Sequence, residues 1–270
     1  MPTATVNGFE MNYRVSGAGP PLVMAHGLLG SMATMAVLGD VSDLLTDSFT
    51  VVNYDARGHG LSGHTTDPAD YHWRGLAADM HALLEHLGVE RAFVGGGSMG
   101  AGTSIVFALE HPEMVQKLVL MLPPPLDRQE FAVARNTLGG LATLIESVGL
   151  EKAVDIAVRL YAEGAPQPFP PEMAEWMRQW LLAQNAEGIV AAIRGVVDGP
   201  DLPVERFGEI RAPTLVIGQP GDEIHPLTSA ERVHKAIAGS RLVVAPDRMY
   251  YTLHRDELAR IIREFLLDAA

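Results

Sequence analysis

The stretch at positions 92–102, Ala-Phe-Val-Gly-Gly-Gly-Ser-Met-Gly-Ala-Gly, decides the fold. It holds the pattern G-x-S-x-G around Ser98, between an apolar run that predicts a strand and residues Met99 to Glu110, which predict a helix. A serine on such a turn is lifted above the sheet edge, where the backbone has to adopt a positive φ. Neighbouring glycines give that turn room: Gly95, Gly96, Gly97, Gly100 and Gly102. The stretch predicts that Ser98 is a nucleophile, the alternative being a passive serine in a glycine turn such as a phosphate-binding loop.

Strand and helix patterns alternate on both sides of this turn. Strands that alternate with crossover helices indicate a mostly parallel central sheet with helices on both faces. Ligands bind such sheets at the carboxyl ends of the strands. The predicted strands are Phe9 to Val15, Leu22 to Ala25, Phe49 to Tyr54, Lys117 to Leu122, Thr214 to Ile217 and Arg241 to Val244, and the predicted helices include Trp73 to Leu87 and Thr228 to Ile237.

One segment lacks strands altogether. Residues 126–199 show only helical patterns, so we expect a helical cap there, inserted into a core domain made of residues 1–125 and 200–270. The predicted helices of this segment are Phe131 to Val148, Glu151 to Tyr161, Pro171 to Gln184 and Gly188 to Val197. The cap sequence carries Met173, Trp176, Met177, Trp180, Leu181 and Leu182. These side chains predict either an adaptable apolar pocket for a small hydrophobic substrate or plain helical core.

Composition excludes several classes of partner and site. The 270 residues carry a formal charge of −13, which argues against nucleic acid and against an anionic membrane surface. There is no cysteine, and no two histidines have the spacing H-x-x-x-H, so we expect no disulfide, no metal site and no cofactor. The first residues lack the pattern of a signal peptide, and no apolar run could span a bilayer. We expect a cytoplasmic monomer or homodimer.

Three motifs together carry a family resemblance. His26-Gly27, the run from Tyr54 to Ser62 (Tyr-Asp-Ala-Arg-Gly-His-Gly-Leu-Ser) and the turn at Ser98 closely resemble, in this order and spacing, the α/β-hydrolase family over nearly the whole chain. The main-chain N–H groups of Leu28 and Met99 are the candidate donors of an oxyanion hole. The resemblance implies a structural role for the Arg-Gly-His-Gly loop, with His59 as a packing residue.

The type of nucleophile narrows the reaction. Members of the family that open epoxides or remove halide resemble one another in using aspartate at this turn, whereas this chain has Ser98. Hydrolysis of an ester, lactone, amide or carbon–carbon bond through an acyl-enzyme therefore remains. The alternatives are a ligand-binding protein that has kept the fold and lost hydrolysis, and a cofactor-free lyase or cyclase.

The acid and the base of the expected triad are not equally clear. Asp222 lies in a segment that resembles the family's G-x-x-D and is the predicted acid. Where the family usually has its catalytic histidine, this chain has Met249, which cannot accept a proton. Two histidines could replace it: His225, three residues after Asp222, and His254, five residues past the expected position. That neither acts as the base also remains open, because triads are recognised by geometry and not by sequence position.

Overall fold

A computed structural model describes residues 1–38, 41–164 and 171–268. Its strands form one eight-stranded sheet. They are β1 (Thr3–Val6), β2 (Phe9–Ser16), β3 (Pro21–Ala25), β4 (Thr50–Tyr54), β5 (Ala92–Gly97), β6 (Val115–Met121), β7 (Thr214–Gly218) and β8 (Arg241–Val244).

The sheet is mostly parallel, as the sequence predicts. Its strand order is β1-β2-β4-β3-β5-β6-β7-β8, and only the pairs that involve β1 or β2 are antiparallel. Strand β3 crosses over next to β5, so that Val23 lies opposite Val94. This crossover brings the carboxyl ends of β3, β5, β6 and β7 to one edge of the sheet, where the loops that carry the predicted site residues begin.

Eleven α-helices surround the sheet in the described part of the chain. They are α1 (Met32–Leu38), α2 (Trp73–His86), α3 (Met99–Glu110), α4 (Phe131–Ala134), α5 (Gly140–Val148), α6 (Leu150–Gly164), α7 (Pro171–Leu182), α8 (Ala186–Val197), α9 (Leu227–Ala236), α10 (Tyr250–Leu253) and α11 (Arg255–Leu267).

Both faces of the sheet are covered, and the central strands carry runs of apolar residues that point to both sides. In β6, Leu118 and Leu120 pack with residues of α2, α3 and α9, whereas Val119 between them packs on the opposite face with residues of α11. All three side chains are fully buried. An apolar run of this kind is expected where helices cover both sides of a parallel sheet.

Helices α4 to α8 lie between β6 and β7, and the described residues of this segment contain no strand. The helix predicted from Phe131 to Val148 is divided by a π-helical turn, Arg135–Gly139, at a pair of glycines that favour helix only weakly. Helix α8 begins two residues earlier than predicted because Asn185 caps it, accepting a hydrogen bond from the Gly188 N–H at 2.9 Å. Residues 165–170 of the predicted 126–199 block lie outside the described residues.

Helix α8 docks closely on the loop that follows β4. A Cβ atom on Gly188 would lie 3.0 Å from Gly58 Cα, and one on Gly195 would lie 2.4 Å from the Pro68 carbonyl oxygen. These glycines therefore let two backbones approach each other. The contact fixes the helical segment over the carboxyl edge of the sheet.

Candidate functional site

Ser98 occupies a strained turn between β5 and α3. Its backbone has φ 54° and ψ −115°, and its N–H donates to the Met121 carbonyl at 3.0 Å. A Cβ atom on Gly96 or Gly100 would lie 2.6 or 2.1 Å from the Ala25 carbonyl oxygen, so neither position accepts a side chain. Backbone strain at a serine, held by close packing on both sides, is typical of a functional site.

The Ser98 hydroxyl is hydrogen-bonded to a histidine. His225 Nε2 lies 2.7 Å from Ser98 Oγ, and His225 Nδ1 lies 3.0 Å from Asp222 Oδ2. An ionised carboxylate only accepts hydrogen bonds, so Nδ1 carries the proton and the unprotonated Nε2 accepts from the serine hydroxyl. The three side chains form a continuous Ser–His–Asp hydrogen-bonded chain whose acid and base come from one loop.

That loop follows β7 and is shaped by its own aspartate. Asp222 Oδ1 accepts hydrogen bonds from the N–H groups of Ile224 and His225, both at 3.0 Å. This Asx turn brings the His225 ring back beside the carboxylate that precedes it by three residues. Gly221, with φ 72°, allows the chain to enter the turn. The Gln219 amide donates to Asp222 Oδ2 at 2.9 Å and holds the carboxylate from the other side.

The environment keeps Asp222 ionised. Partial burial alone would raise the pKa of its carboxyl group. This effect is outweighed by the interactions with the His225 side chain, the His225 main-chain N–H and the Gln219 amide, which together hold the pKa well below its usual range. A carboxylate that stays charged can fix the histidine tautomer and stabilise the imidazolium that forms when His225 takes a proton.

The loop after β8 contributes no side chain to this cluster. Met249 stands where the family resemblance places a histidine, and its side chain is 43% exposed. His254 joins α10 to α11; it is exposed, with its ring centroid 4.6 Å from that of Tyr250. The structure thus brings Ser98, Asp222 and His225 together and leaves His254 outside the cluster.

The turn after β3 passes directly beside Ser98. A Cβ atom on Gly27 would lie 3.4 Å from Ser98 Cβ, and the Gly30 N–H donates to the Gly27 carbonyl at 2.9 Å. Within the described residues, the N–H of Leu28 in this turn donates no hydrogen bond. Met99 is the first residue of α3, a position whose N–H has no partner inside the helix. Met99 thus follows Ser98 directly in the sequence, and Leu28 follows Gly27, the residue of this turn that approaches Ser98.

Two side chains of the helical segment hold the same turn. Leu29 has φ 67°, an uncommon value for a residue with a side chain. Its carbonyl oxygen accepts hydrogen bonds from Trp180 Nε1 at 2.7 Å and from Gln184 Nε2 at 3.0 Å. This role of Trp180 and Gln184, and the hydrogen bond from Gln219 to Asp222, were not predicted from the sequence. No local pattern signals the role of Trp180 and Gln184, because they bind a carbonyl group about 150 residues away.

The loop after β4 is structural. Its Asp55 accepts hydrogen bonds from the Met32 N–H at 2.7 Å and the Leu61 N–H at 2.9 Å. His59 is fully buried; burial and the neighbouring His26 lower the pKa of its ring to about 3, so that it stays neutral. Its Nδ1 lies 2.8 Å from the Arg57 carbonyl oxygen. His59 is thus a buried packing residue, as the resemblance implied.

Neither a metal site nor a membrane span emerges from the described residues. Across positions 1–38, 41–164 and 171–268 there is no group of three or more metal-ligating side chains. Over the same positions, no helix combines the length and the apolar character needed to cross a bilayer.

Known proteins resemble the chain in sequence and in fold. A family model described as "alpha/beta hydrolase fold" matches residues 20–144. A fluoroacetate dehalogenase from Burkholderia sp. is 28% identical over 98% of this chain and 92% of its own length. Among solved structures, a hydrolase from Pseudomonas aeruginosa PA01 has a TM-score of 0.81 and 25% identity, covering 99% of this chain and 98% of the other. The enol-lactonase from Burkholderia xenovorans LB400 has a TM-score of 0.80 and 23% identity, covering 99% of this chain and all of the other.

Proposed function

Because the chain belongs to the α/β-hydrolase fold family and is an enzyme with the role of a hydrolase, we propose that it cleaves a small hydrophobic ester, lactone or related acyl substrate through an acyl-enzyme on Ser98. The observation that carries this proposal is the 2.7 Å contact between Ser98 Oγ and His225 Nε2, with Asp222 behind it. A hydroxyl paired with a base, and a base oriented by a third group, is the arrangement that activates a serine.

The reaction follows from that arrangement. Ser98 Oγ attacks the substrate carbonyl while His225 Nε2 takes the hydroxyl proton. The carbonyl oxygen becomes negative and is stabilised by the N–H groups of Leu28 and Met99. When the tetrahedral intermediate collapses, the leaving oxygen receives the proton from His225. Water then attacks the acyl-enzyme with His225 again as base, and releases the acid and free Ser98.

The residue at the turn argues against removal of halide by this chain. The family members that remove halide resemble one another in using aspartate there, and aspartate forms an ester with the substrate carbon. Ser98 instead suits attack on a carbonyl carbon, which is the chemistry of the enol-lactonase to which the fold is similar. Acyl transfer to water is therefore the reaction that this chain supports best.

The domain organisation of the proposal follows the sequence analysis. Residues 1–125 and 200–270 form the hydrolase core, and residues 126–199 form a cap that closes the site from solvent. The contacts of Trp180 and Gln184 with Leu29 support this arrangement, since they place α7 beside the proposed oxyanion turn. A site covered in this way limits the access of bulk water and favours apolar substrates.

Covalent labelling tests the proposal. We expect a fluorophosphonate probe to modify the protein at Ser98, identified by peptide mass analysis, and expect the protein to hydrolyse p-nitrophenyl acetate. The Ser98→Ala variant should do neither, and Ser104→Ala is a matched control because Ser104 is buried in α3, bonded to the Gly100 carbonyl at 2.7 Å. A folded parent protein that is neither labelled nor active on esters would favour a ligand-binding protein instead.

A further inference from the structure

The backbone conformation at Gly97, the position before Ser98, does not require a glycine. Gly97 has no positive φ, and a Cβ atom there would meet only Met121, 3.8 Å from the carbonyl oxygen and 3.9 Å from Cε. These are ordinary contacts, unlike the 2.6 and 2.1 Å approaches at Gly96 and Gly100. Because glycine weakens a strand relative to alanine, the missing side chain at Gly97 points to a need for space.

Such a space exists beside Gly97. A cavity with about 430 Å³ of unoccupied volume, its opening to solvent included, lies between α1 and the carboxyl ends of β3 to β6. Gly27, where a Cβ atom would lie 3.4 Å from Ser98 Cβ, also lines it, so two of its lining residues are neighbours of Ser98. Four methionines contribute to its wall: Met24, Met32, Met35 and Met121.

The wall of this cavity, as far as the described residues form it, is mostly apolar. Among the described lining residues there is no Asp, Glu, Lys or Arg, and the polar members are His26, Asn53 and Tyr54. The His26 ring is occupied, because Nε2 accepts from the Ala56 N–H at 2.9 Å and Nδ1 lies 2.8 Å from the Gly27 carbonyl oxygen. Methionine side chains are flexible and polarizable, and they adapt to ligands of varied shape.

We propose that this methionine-lined cavity binds the apolar, unbranched acyl chain of the substrate, and that Gly97 determines the chain length accepted. The inference rests on the proposed acyl-enzyme at Ser98. The leaving group has to receive a proton from His225 and depart, so it lies toward the β7 loop. The acyl chain stays attached to Ser98 through the second half of the reaction, and the cavity beside Gly27 and Gly97 can hold it throughout.

Filling the cavity tests the proposal. In the parent protein we expect kcat/KM to rise from p-nitrophenyl acetate to hexanoate by about fourfold per buried methylene. In Gly97→Leu, kcat/KM for the hexanoate should differ from kcat/KM for the acetate by no more than about threefold, since the new side chain occupies the space of those methylenes. Gly140→Leu is the matched control, because a Cβ atom there meets nothing within 4 Å and the position is remote from the cavity; its ratio of hexanoate to acetate kcat/KM should equal the parent ratio.

A binding measurement separates this inference from the hydrolytic function. In Ser98→Ala, 2-octanone should raise the melting temperature more than 2-butanone does, and adding Gly97→Leu should abolish that difference. An unchanged chain-length ratio in Gly97→Leu, together with an unchanged response to 2-octanone, overturns the cavity assignment. A parent protein that hydrolyses no ester, but whose binding of 2-octanone depends on Gly97, refutes the proposed function and leaves the cavity assignment standing.

Discussion

The loops after β7 and β8 follow neighbouring parallel strands and end at the same edge of the sheet, yet they differ in what they present. The β7 loop, defined here as residues 219–226, places both Asp222 and His225 in a hydrogen-bonded chain with Ser98. The β8 loop, residues 245–254, presents an exposed Met249 and an exposed His254. The family resemblance assigns the acid to the first loop and the base to the second. The difference teaches that a short Asx turn can supply both groups at once.

The largest expected effect is the difference in kcat between two single variants, one for the histidine of each loop. His225→Ala should lower kcat for p-nitrophenyl acetate by about 10⁴- to 10⁶-fold, because Ser98 loses its base. His254→Ala should leave kcat within about twofold, since its ring lies beside Tyr250 and makes no bond to the cluster. Steady-state kinetics on both purified variants measure the contrast, with circular dichroism as the control for folding. A larger loss in His254→Ala would reverse the assignment of the two loops.

The aspartates of the two loops give the second contrast. Asp222→Asn should lower kcat by about 10⁴-fold, because an amide that donates to His225 Nδ1 selects the wrong tautomer. Asp247→Asn is the matched change in the β8 loop, where the Asp247 carboxylate accepts the Met249 N–H at 2.8 Å within the loop itself, and it should leave kcat within about twofold. The labelling rate with a fluorophosphonate provides an independent readout. Equal losses in both variants would show that the carboxylates act only through loop stability.

The smallest expected effect is on stability. The pKa of Asp222 is lowered in the folded protein, so its ionised form contributes stability that is fully present above the unfolded pKa near 3.8 and is lost as the pH falls below it. The difference in unfolding free energy between the parent and Asp222→Asn should therefore shrink by about 1 kcal/mol between pH 5 and pH 3. Urea denaturation at each pH measures it. A difference that grows toward low pH contradicts the lowered pKa.

The fold could be predicted because its signals are local and repeated. The apolar runs of β3 to β7 and the helical periodicity of α2, α3 and α9 each indicate their own element, and the alternation indicates the sheet. The boundaries differ by one to three residues where caps decide them, as at Asn185. The π-helical turn Arg135–Gly139 has no distinct periodic signature and was therefore absent from the prediction.

The candidate site could be predicted in part. Ser98 was predicted because it lies in a G-x-S-x-G motif between a strand and a helix. The glycines alone do not decide its role, because Gly95, Gly97 and Gly100 also fit the dinucleotide-binding pattern G-x-G-x-x-G. The choice between His225 and His254 needed coordinates, because loop conformation, and not spacing, directs each ring. In the β7 loop that conformation is set by the carboxylate of Asp222 itself.

The double hydrogen bond to the Leu29 carbonyl couples two parts of the molecule mechanically. An outward movement of α7 and of the residues that follow it has to break the bonds from Trp180 and Gln184 together and leave a main-chain oxygen without these donors, which costs about 1–3 kcal/mol where that oxygen is kept from water. These bonds tie α7 to the turn after β3. They end on the residue next to Leu28, so a displacement of α7 also loosens the turn that carries this proposed oxyanion donor.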